Sequence, residues 1–484
     1  MYVKANKNQL KLIEEFELPF GGKLNSNNRW IKLSEVIPWE KVEEIYSKNF
    51  TNHTGSPAKK ARLALGALLI KERMNLTDAE TVEQIKENPY LQFFLGQTRY
   101  ESEKSLFDSS MMVHFRKRFD SETLQEINEM IINDEASKER ESTDDEDDHE
   151  NDGTCSSDTK NRGKLILDAT CAPADIKFPT DVNLLNEARE KCEKIIDVLY
   201  AEVPGIKKKP RTYKQRARKD FMAITKQRKA RKKNIRKAIR KQLSYVKRDL
   251  KIINELLDKT GIEFLTFGQL RIFWVVQELY RQQQEMYDKK SHSIKERIVS
   301  ISQPHIRPIV RGKSKASTEF GAKISLSLLN GYSRVEKLSW SNFNEGVTLE
   351  EIVESYKEKY GFYPEVILAD SLYRNRSNIK YCKDRGIRLS GPALGRKSKE
   401  KKKEEIKLLK QDAKERNAVE GKFGEAKRKY GLDRVMGKLR ETSETMIMLQ
   451  FMVMNLERKL RVLIFKYIEL VFKLNNFELK KIAC

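Results

Sequence analysis

Two short apolar runs, far apart in the chain, each end in an aspartate. The first is Leu165-Ile166-Leu167-Asp168 and the second is Val366-Ile367-Leu368-Ala369-Asp370. Apolar runs of this length are typical of buried strands, and strand ends in α/β sheets carry ligand-binding residues. A single strand-terminal aspartate can also serve only to begin a turn. The pair, with a basic insertion between its members, predicts an α/β fold with a two-aspartate site.

The pattern between residues 319 and 394 supports a sheet. Residues 319–329 alternate apolar and polar side chains, and Asn330-Gly331 is a strong hairpin signal. The predicted order is a hairpin of 319–329 and 332–340, helix 349–360, strand 365–369, helix 375–384 and strand 387–389. This order predicts a mixed sheet with crossover helices.

A strongly basic block lies between the two aspartates. Residues 206–248 contain 20 Lys or Arg and one acid, Asp220, so they carry +19 of the net charge of +24. Several of the spacings between apolar residues there are three or four, which predicts an amphipathic helix within a helical insertion at 187–300. A solvated charge run normally mixes signs, so the block indicates a helix that contacts phosphates. The predicted contacts are Lys226, Arg228, Lys229, Arg231, Lys232, Lys233, Arg236, Lys237 and Arg240.

The net charge and the pI of about 9.5 point to an anionic partner, either nucleic acid or an anionic membrane surface. No uninterrupted apolar run of membrane-spanning length occurs, and the N-terminal residues lack the apolar core of a secretory signal. A membrane-surface helix would need large apolar side chains opposite its basic face, and the basic block has no Trp and only Leu243. We therefore expect a cytoplasmic, nucleoid-associated protein.

Five scattered cysteines without a C-x-x-C pair favour a reducing cytosol and no zinc site. The five histidines also lack metal-ligand spacing. Any metal should therefore be a hard cation held by carboxylates.

The N-terminal region, residues 1–133, is predicted to be helical. Thr77 and Glu80 fit a capping box, and Pro89 suits a first helical turn. Short helices with tight turns can form a helix-turn-helix DNA reader, although a small helical domain without DNA contact is the alternative. Residues 134–160 then contain twelve acids and three basic residues, which predicts a disordered linker at 134–162. Its charge suggests that it masks the basic helix.

A long helix is predicted at 399–430, followed by a C-terminal helix at 441–484. At 100° per residue, Arg416, Glu420 and Lys427 share one face of the long helix. Two glycines, Gly421 and Gly424, are costly in such a helix and suggest close approach by DNA backbone or a strand. The apolar stripe of the C-terminal helix predicts core or dimer packing.

These residues resemble bacterial insertion-sequence transposases of the DDE type, in the group with a Tyr-Arg-Glu-Lys signature around the glutamate. Arg416, Glu420 and Lys427 keep the spacing of the signature, whereas the tyrosine position is Ala413. Asp370-Ser371-Leu372-Tyr373 resembles the stretch after the second aspartate of the family. Similar features occur at 307–313, 319–321 and, for the N-terminal domain, 55–96.

The resemblance implies a ribonuclease-H-like catalytic domain, at 163–186 and 301–440, that cleaves and rejoins DNA. It implies Asp168, Asp370 and Glu420 as ligands of two Mg²⁺ or Mn²⁺ ions. Arg416 and Lys427 are expected to contact DNA phosphates, and Tyr373 to support Asp370 or stack on DNA. Double-stranded DNA is the expected partner, bound by a homodimer. A nuclease of the same fold, or an inactive DNA-binding derivative, remains an alternative.

Overall fold

The computed structural model describes residues 2, 16–18, 22–50, 57–141, 161–202, 208–310, 318–392 and 399–482. The chain forms two compact units. The first comprises Met1–Ala172, Lys323–Leu338 and Phe343–Cys484, and the second comprises Pro173–Ala322 and Ser339–Asn342. The first unit thus includes the N-terminal helices, most of the predicted catalytic domain and the C-terminal helix, which the sequence analysis assigned to separate domains.

Seven helices precede the sheet in the described part of the chain. They are α1 (Arg29–Val36), α2 (Trp39–Ser47), α3 (Ala61–Met74), α4 (Asp78–Glu87), α5 (Pro89–Phe94), α6 (Met111–Arg118) and α7 (Ser121–Glu141). The predicted capping box is confirmed, since Thr77 and Glu80 bond each other's backbone N–H groups at the start of α4. Asn88 caps α5, with Pro89 at its first position. Helix α7 extends to Glu141, so the first eight residues of the predicted linker are helical; residues 142–160 lie outside the described residues.

The six strands form one mixed sheet. They are β1 (Lys164–Pro173), β2 (Arg307–Val310), β3 (Thr318–Leu329), β4 (Tyr332–Ser339), β5 (Val366–Leu368) and β6 (Arg388–Leu389). The strand order is β2-β3-β1-β5-β6, with β4 paired to β3. Strand β5 runs parallel to both β1 and β6. The hairpin turn is as predicted, because Asn330 and Gly331 both have the positive φ angles, 48° and 78°, that a tight hairpin turn requires.

The remaining helices of the first unit surround this sheet and the N-terminal helices. They are α12 (Leu349–Tyr360), α13 (Arg376–Asp384), α14 (Lys399–Lys429) and α15 (Arg440–Ile482), with 3₁₀ turns at Glu345–Val347 and Ser371–Tyr373 (α8–α11 are in the second unit). Leu349, Val353 and Ile367 are fully buried in the core beneath the sheet.

Helix α15 completes the core of the N-terminal helices. It packs against α1, α3, α6 and α7. Four positions of its predicted stripe, Leu449, Val453, Leu456 and Leu460, are buried, whereas Leu463 is exposed. Tyr467 and Val471 lie outside the residues whose side chains are described. The first half of the stripe is therefore core.

A buried amide joins α7, the sheet and α15. Asn455 donates to Asn128 Oδ1 at 2.9 Å and to the carbonyl of Ser333 at 2.7 Å. It accepts from the N–H and the hydroxyl of Ser333. Because Asn455 is fully buried, these bonds take the place of the hydrogen bonds that its amide makes with water in the unfolded chain.

The second unit contains a helical bundle of α8 (Asp181–Glu202), α9 (Lys214–Thr225), α10 (Lys232–Thr260) and α11 (Phe267–Asp288). Leu185, Ile196, Val246, Ile253 and Leu279 lie in its core. The basic block is not one amphipathic helix as predicted, because it is divided between α9 and α10. Helix α9 folds back on α10, where Asp220 accepts hydrogen bonds from Lys241 and Tyr245. None of the described helices is both long and apolar enough to cross a membrane.

Candidate active site

Asp168 lies within β1, which continues to Pro173, so it is not at a strand end as predicted; Asp370 lies two residues beyond the end of β5, the parallel neighbour of β1. The pairing of β1 with β5 matches Lys164 to Val366 and Ile166 to Leu368. The same offset, carried two residues further, matches Asp168 to Asp370. The charge of Asp370 acts on the carboxyl of Asp168, so the two side chains lie near each other. The fold therefore brings the two predicted carboxylates together.

Each aspartate is oriented by the residue that follows it. Asp168 Oδ1 accepts the N–H of Ala169 at 2.8 Å, and Asp370 Oδ1 accepts the N–H of Ser371 at 2.6 Å. Asp370 is the cap residue of the Ser371–Tyr373 turn. Burial raises the pKa of the Asp168 carboxyl; the charges of Glu345 and Asp370 act in the same direction, and the Ala169 N–H and Arg416 oppose it. Asp168 therefore sits in a crowded, strongly negative environment.

Two ion pairs fix helix α14 against the sheet. Arg388 on β6 binds both oxygens of the buried Asp412, at 2.7 and 2.9 Å. Lys164 on β1 binds both oxygens of Glu415, at 3.2 and 2.9 Å. Val419 and Ala426 are fully buried on the same helix. These contacts set the rotation of α14 and therefore the positions of Arg416 and Glu420.

Arg416 lies between two members of the predicted triad. Its Nη1 is 3.4 Å from Asp370 Oδ1, and its Nη2 is 3.7 Å from Glu420 Oε1. Glu420 is exposed and Lys427 is half-buried on the same side of α14. The guanidinium thus links Asp370 to Glu420.

The two helix glycines face open space. Outside the helix's own backbone, a Cβ added at Gly421 or Gly424 would meet no atom of the described residues within 4 Å. None of the described strands therefore approaches these glycines. The approach of DNA backbone at this point stays a prediction.

Tyr373 does not have the surface role predicted for it. Its side chain is fully buried, so it has no face on which a base can stack. Burial raises the pKa of its hydroxyl above the usual range, and the charges of Glu345, Asp168 and Asp370 add to this effect. Tyr373 instead packs in the same hydrophobic core as Leu167 and Ile367, next to the two aspartates.

Sequence reasoning missed one acid near Asp168. Glu345 begins the 3₁₀ turn between β4 and α12 and forms an ion pair with Lys323 at 2.8 Å. Glu345 does not end a predicted strand and does not belong to a helical motif. The sequence therefore offers no signal for it other than an acidic residue just before α12.

The donor set suits a hard divalent cation, because the nearby carboxylates are the ligands that Mg²⁺ and Mn²⁺ prefer. Among the described residues, however, no three His, Cys, Asp or Glu side chains form a cluster that could hold a metal ion. In this arrangement the guanidinium of Arg416 lies within 4 Å of both Asp370 and Glu420.

The predicted phosphate contacts of the basic block lie in the second unit. All of them are exposed except Arg236, which is half-buried and lies over the ring of Tyr287. Lys226, Arg228, Lys229 and Arg231 belong to the connection between α9 and α10 and not to a helix, which corrects the prediction. Lys233, Lys237, Arg240, Lys247 and Lys251 are exposed and share one face of α10 at 100° per residue. We call these five residues the α10 basic face.

Two family models for transposase domains match the chain. A transposase DDE domain family matches residues 367–457, and the DUF772 transposase domain family matches residues 19–118. An uncharacterised protein of Rhizobium meliloti, ORF8 in the nfe locus, is 31% identical over 165 residues, which are 34% of this chain and 71% of that protein. No solved structure matches the chain.

Proposed function

Because the chain belongs to the insertion-sequence transposases of the DDE type, we propose that it cleaves the ends of its own element and joins them to target DNA. The catalytic core is proposed to be ribonuclease-H-like, with Asp168, Asp370 and Glu420 as the metal-binding triad. One observation carries the proposal: Asp168 lies on β1, Asp370 follows its parallel neighbour β5, and Arg416 lies within 4 Å of both Asp370 and Glu420.

Two Mg²⁺ or Mn²⁺ ions held by these carboxylates would activate the attacking hydroxyl and stabilise the leaving oxygen. The residues of the chain supply the rigid frame that this chemistry needs. The bonds from Ala169 and Ser371 orient the two aspartates. The Arg388–Asp412 and Lys164–Glu415 pairs fix the helix that carries Glu420.

Arg416 has a second proposed task. When a metal takes the carboxylates, the guanidinium is released and can donate to a DNA phosphate, with Lys427 farther along the same side of α14. Gly421 and Gly424 leave the helix surface smooth there. The α10 basic face is proposed to follow the phosphates of another stretch of duplex.

Assembly as a homodimer on DNA also remains a proposal. Exposed apolar side chains continue along α15 beyond its buried half, at Leu463, Ile464, Phe465 and Ile468. Exposed clusters of this kind mark association sites. Light scattering with and without element-end DNA measures the mass directly.

The decisive experiment compares the native chain with Asp370→Asn on DNA that carries the ends of the element. The matched control is Asp384→Asn, an exposed aspartate at the end of α13. We expect Mg²⁺-dependent cleavage and joined products from the native chain and the control, and neither from Asp370→Asn, with DNA binding retained. Cleavage without joined product would indicate the nuclease. Binding without cleavage by the native chain would indicate an inactive derivative.

A further inference from the structure

A cavity of about 370 Å³ lies in the second unit, between the start of α10 and the end of α11. Its apolar lining includes Ile235 and Ile239 from α10 and Met286 from α11. Cavities of this size, with a largely apolar lining and a few polar groups, hold small organic molecules. We call it the α10–α11 cavity.

The walls of the α10–α11 cavity are held by hydrogen bonds that cross between elements. Arg236 on α10 donates to the carbonyl of Tyr287 at 3.0 Å, and its guanidinium lies 4.1 Å from the centre of the Tyr287 ring. Asp181, at the start of α8, accepts from Gln283 on α11 at 2.9 Å and from Arg297 at 2.7 Å. The cavity is therefore a preformed feature of the bundle.

Cations outnumber acids in the lining of the cavity. Lys232, Arg236 and Lys290 line it, and Asp181 is the acid among the lining residues. The charge of Asp181 is already matched by Arg297, 2.7 Å away. Within the described part of the chain, none of the three lining cations pairs with a carboxylate. An anion in the cavity would therefore lie among three positive charges that are not balanced locally.

We propose that the α10–α11 cavity binds one nucleotide with a terminal phosphate, either a free nucleoside 5′-monophosphate or the 5′-phosphorylated end of a DNA strand. A terminal phosphate carries about −1.5 to −2 at neutral pH, whereas a phosphate within a strand carries a single charge. The three cations therefore match the terminal group better.

The apolar lining accounts for the base. A base buries its faces against apolar side chains and stacks on the plane of an arginine, which Arg236 supplies. Inorganic phosphate would leave Ile235, Ile239 and Met286 without contacts, and an uncharged aromatic molecule would leave the cations unmatched. Neither source of the nucleotide requires the metal triad.

Calorimetric titration of the full chain with deoxyadenosine 5′-monophosphate, without metal ions, tests the site. Lys290→Gln should weaken binding about 10-fold, because it removes one charge-assisted hydrogen bond to the phosphate. The matched control Lys289→Gln changes the neighbouring exposed lysine, which pairs with Glu285 and does not line the cavity, and should leave binding unchanged. An equal loss in both variants would mean that the surface charge alone attracts the nucleotide, which overturns the proposal.

Filling the cavity tests the apolar lining. Ile235→Trp places a large side chain there from a position that is already 37% exposed, so the bundle can still fold. It should abolish nucleotide binding, whereas Ile262→Trp, at an exposed position of the connection between α10 and α11, should not. Native affinity in Ile235→Trp overturns the proposal. Equal affinity of the native chain for deoxyadenosine, or for inorganic phosphate, and for the monophosphate overturns it as well.

Short single strands that carry either a 5′-phosphate or a 5′-hydroxyl separate the two sources. Stronger binding of the phosphorylated strand, lost in Ile235→Trp, would assign the site to DNA ends. Binding of the free monophosphate with no preference between the strands would assign it to a free nucleotide. Failure of both the monophosphate and the phosphorylated strand to bind overturns the proposal. That failure would leave the triad standing, since the Asp370→Asn comparison tests it separately.

Discussion

The guanidinium of Arg416 on α14 lies 3.4 Å from the carboxylate of Asp370 at the end of β5. A cation supplied by the chain therefore occupies the position between carboxylates that would otherwise repel each other. Under the proposed function, a metal bound by these carboxylates would release the guanidinium of Arg416.

Arg416→Gln should strengthen Mn²⁺ binding, because the metal no longer competes with the guanidinium. Asp370 and Glu420 are about half exposed, so the decrease in unfolding free energy should stay below about 1 kcal/mol. DNA affinity should fall, because one donor to the phosphates is removed. Calorimetry and DNA binding measure the two effects, with Lys407→Gln, an exposed change on the same helix, as the control. Weaker Mn²⁺ binding in Arg416→Gln would contradict the proposal that the metal displaces Arg416 from the carboxylates.

Asp249 should make the bundle of the second unit sensitive to pH. It is fully buried, and within the described part of the chain neither of its oxygens accepts a hydrogen bond. Burial, with help from Glu193, raises its pKa to about 8, against the opposing charges of Arg189 and Arg248.

The direction of this pH dependence follows from the number of protons bound by the folded and unfolded states. Between the unfolded pKa, about 3.9, and the folded value of about 8, the folded state holds a proton that the unfolded state releases. This group therefore lowers stability by about 1.4 kcal/mol per pH unit as pH rises through that window. Asp249→Asn should be more stable near pH 8, with the gain vanishing toward pH 4. Hydrogen exchange of the backbone amides of α8 and α10 measures this gain in stability. A gain that does not depend on pH would contradict the prediction, and so would an equal gain in the control Asp258→Asn, which changes an exposed residue.

The α10 basic face should contribute salt-dependent DNA affinity. Replacing Lys233, Lys237 and Arg240 by Gln should reduce the slope of log affinity against log salt by about 0.9 for each phosphate that the face no longer neutralises. The control replaces three exposed lysines elsewhere in the same unit, Lys194, Lys259 and Lys295. Equal slopes of log affinity against log salt for the two triple variants would exclude the α10 basic face as a phosphate-binding surface.

Asn455→Ala should destabilise the first unit by about 3 kcal/mol, because it leaves buried groups of Asn128 and Ser333 without partners at about 1–3 kcal/mol each. Denaturant unfolding measures the change. Asn417→Ala, at an exposed position of α14, should have almost no effect. Similar destabilisation in both variants would argue against the buried network.

Local signals predicted local structure well. Asn330-Gly331 formed the hairpin, Thr77 and Glu80 formed the capping box, and the apolar runs before Asp168 and Asp370 became strands. Each depends on backbone preferences within a few residues. The parallel pairing of β1 with β5 is consistent with those runs, although the runs alone do not determine it.

Features set by distant contacts were missed. The block 206–248 has no Gly or Pro near its break, and only the lapse in apolar spacing between Ile224 and Ile235 marks it. The break allows α9 to return to α10, where Asp220 binds Lys241 and Tyr245. The burial of Tyr373 and the place of Glu345 depend on packing between two 3₁₀ turns. The apolar periodicity of α15 indicates only that one of its faces is apolar. It does not identify the N-terminal helices as the partner of that face.

The packing of α15 imposes an order on the synthesis of the protein. The ribosome makes α3, α6 and α7 early, but their shared apolar surface is covered only when Met446–Leu456 emerges. At about 5–20 residues per second, that interval lasts roughly 15–60 s. During it the N-terminal half is an incomplete nascent domain, and a message cut short before α15 yields a chain that cannot complete its own fold.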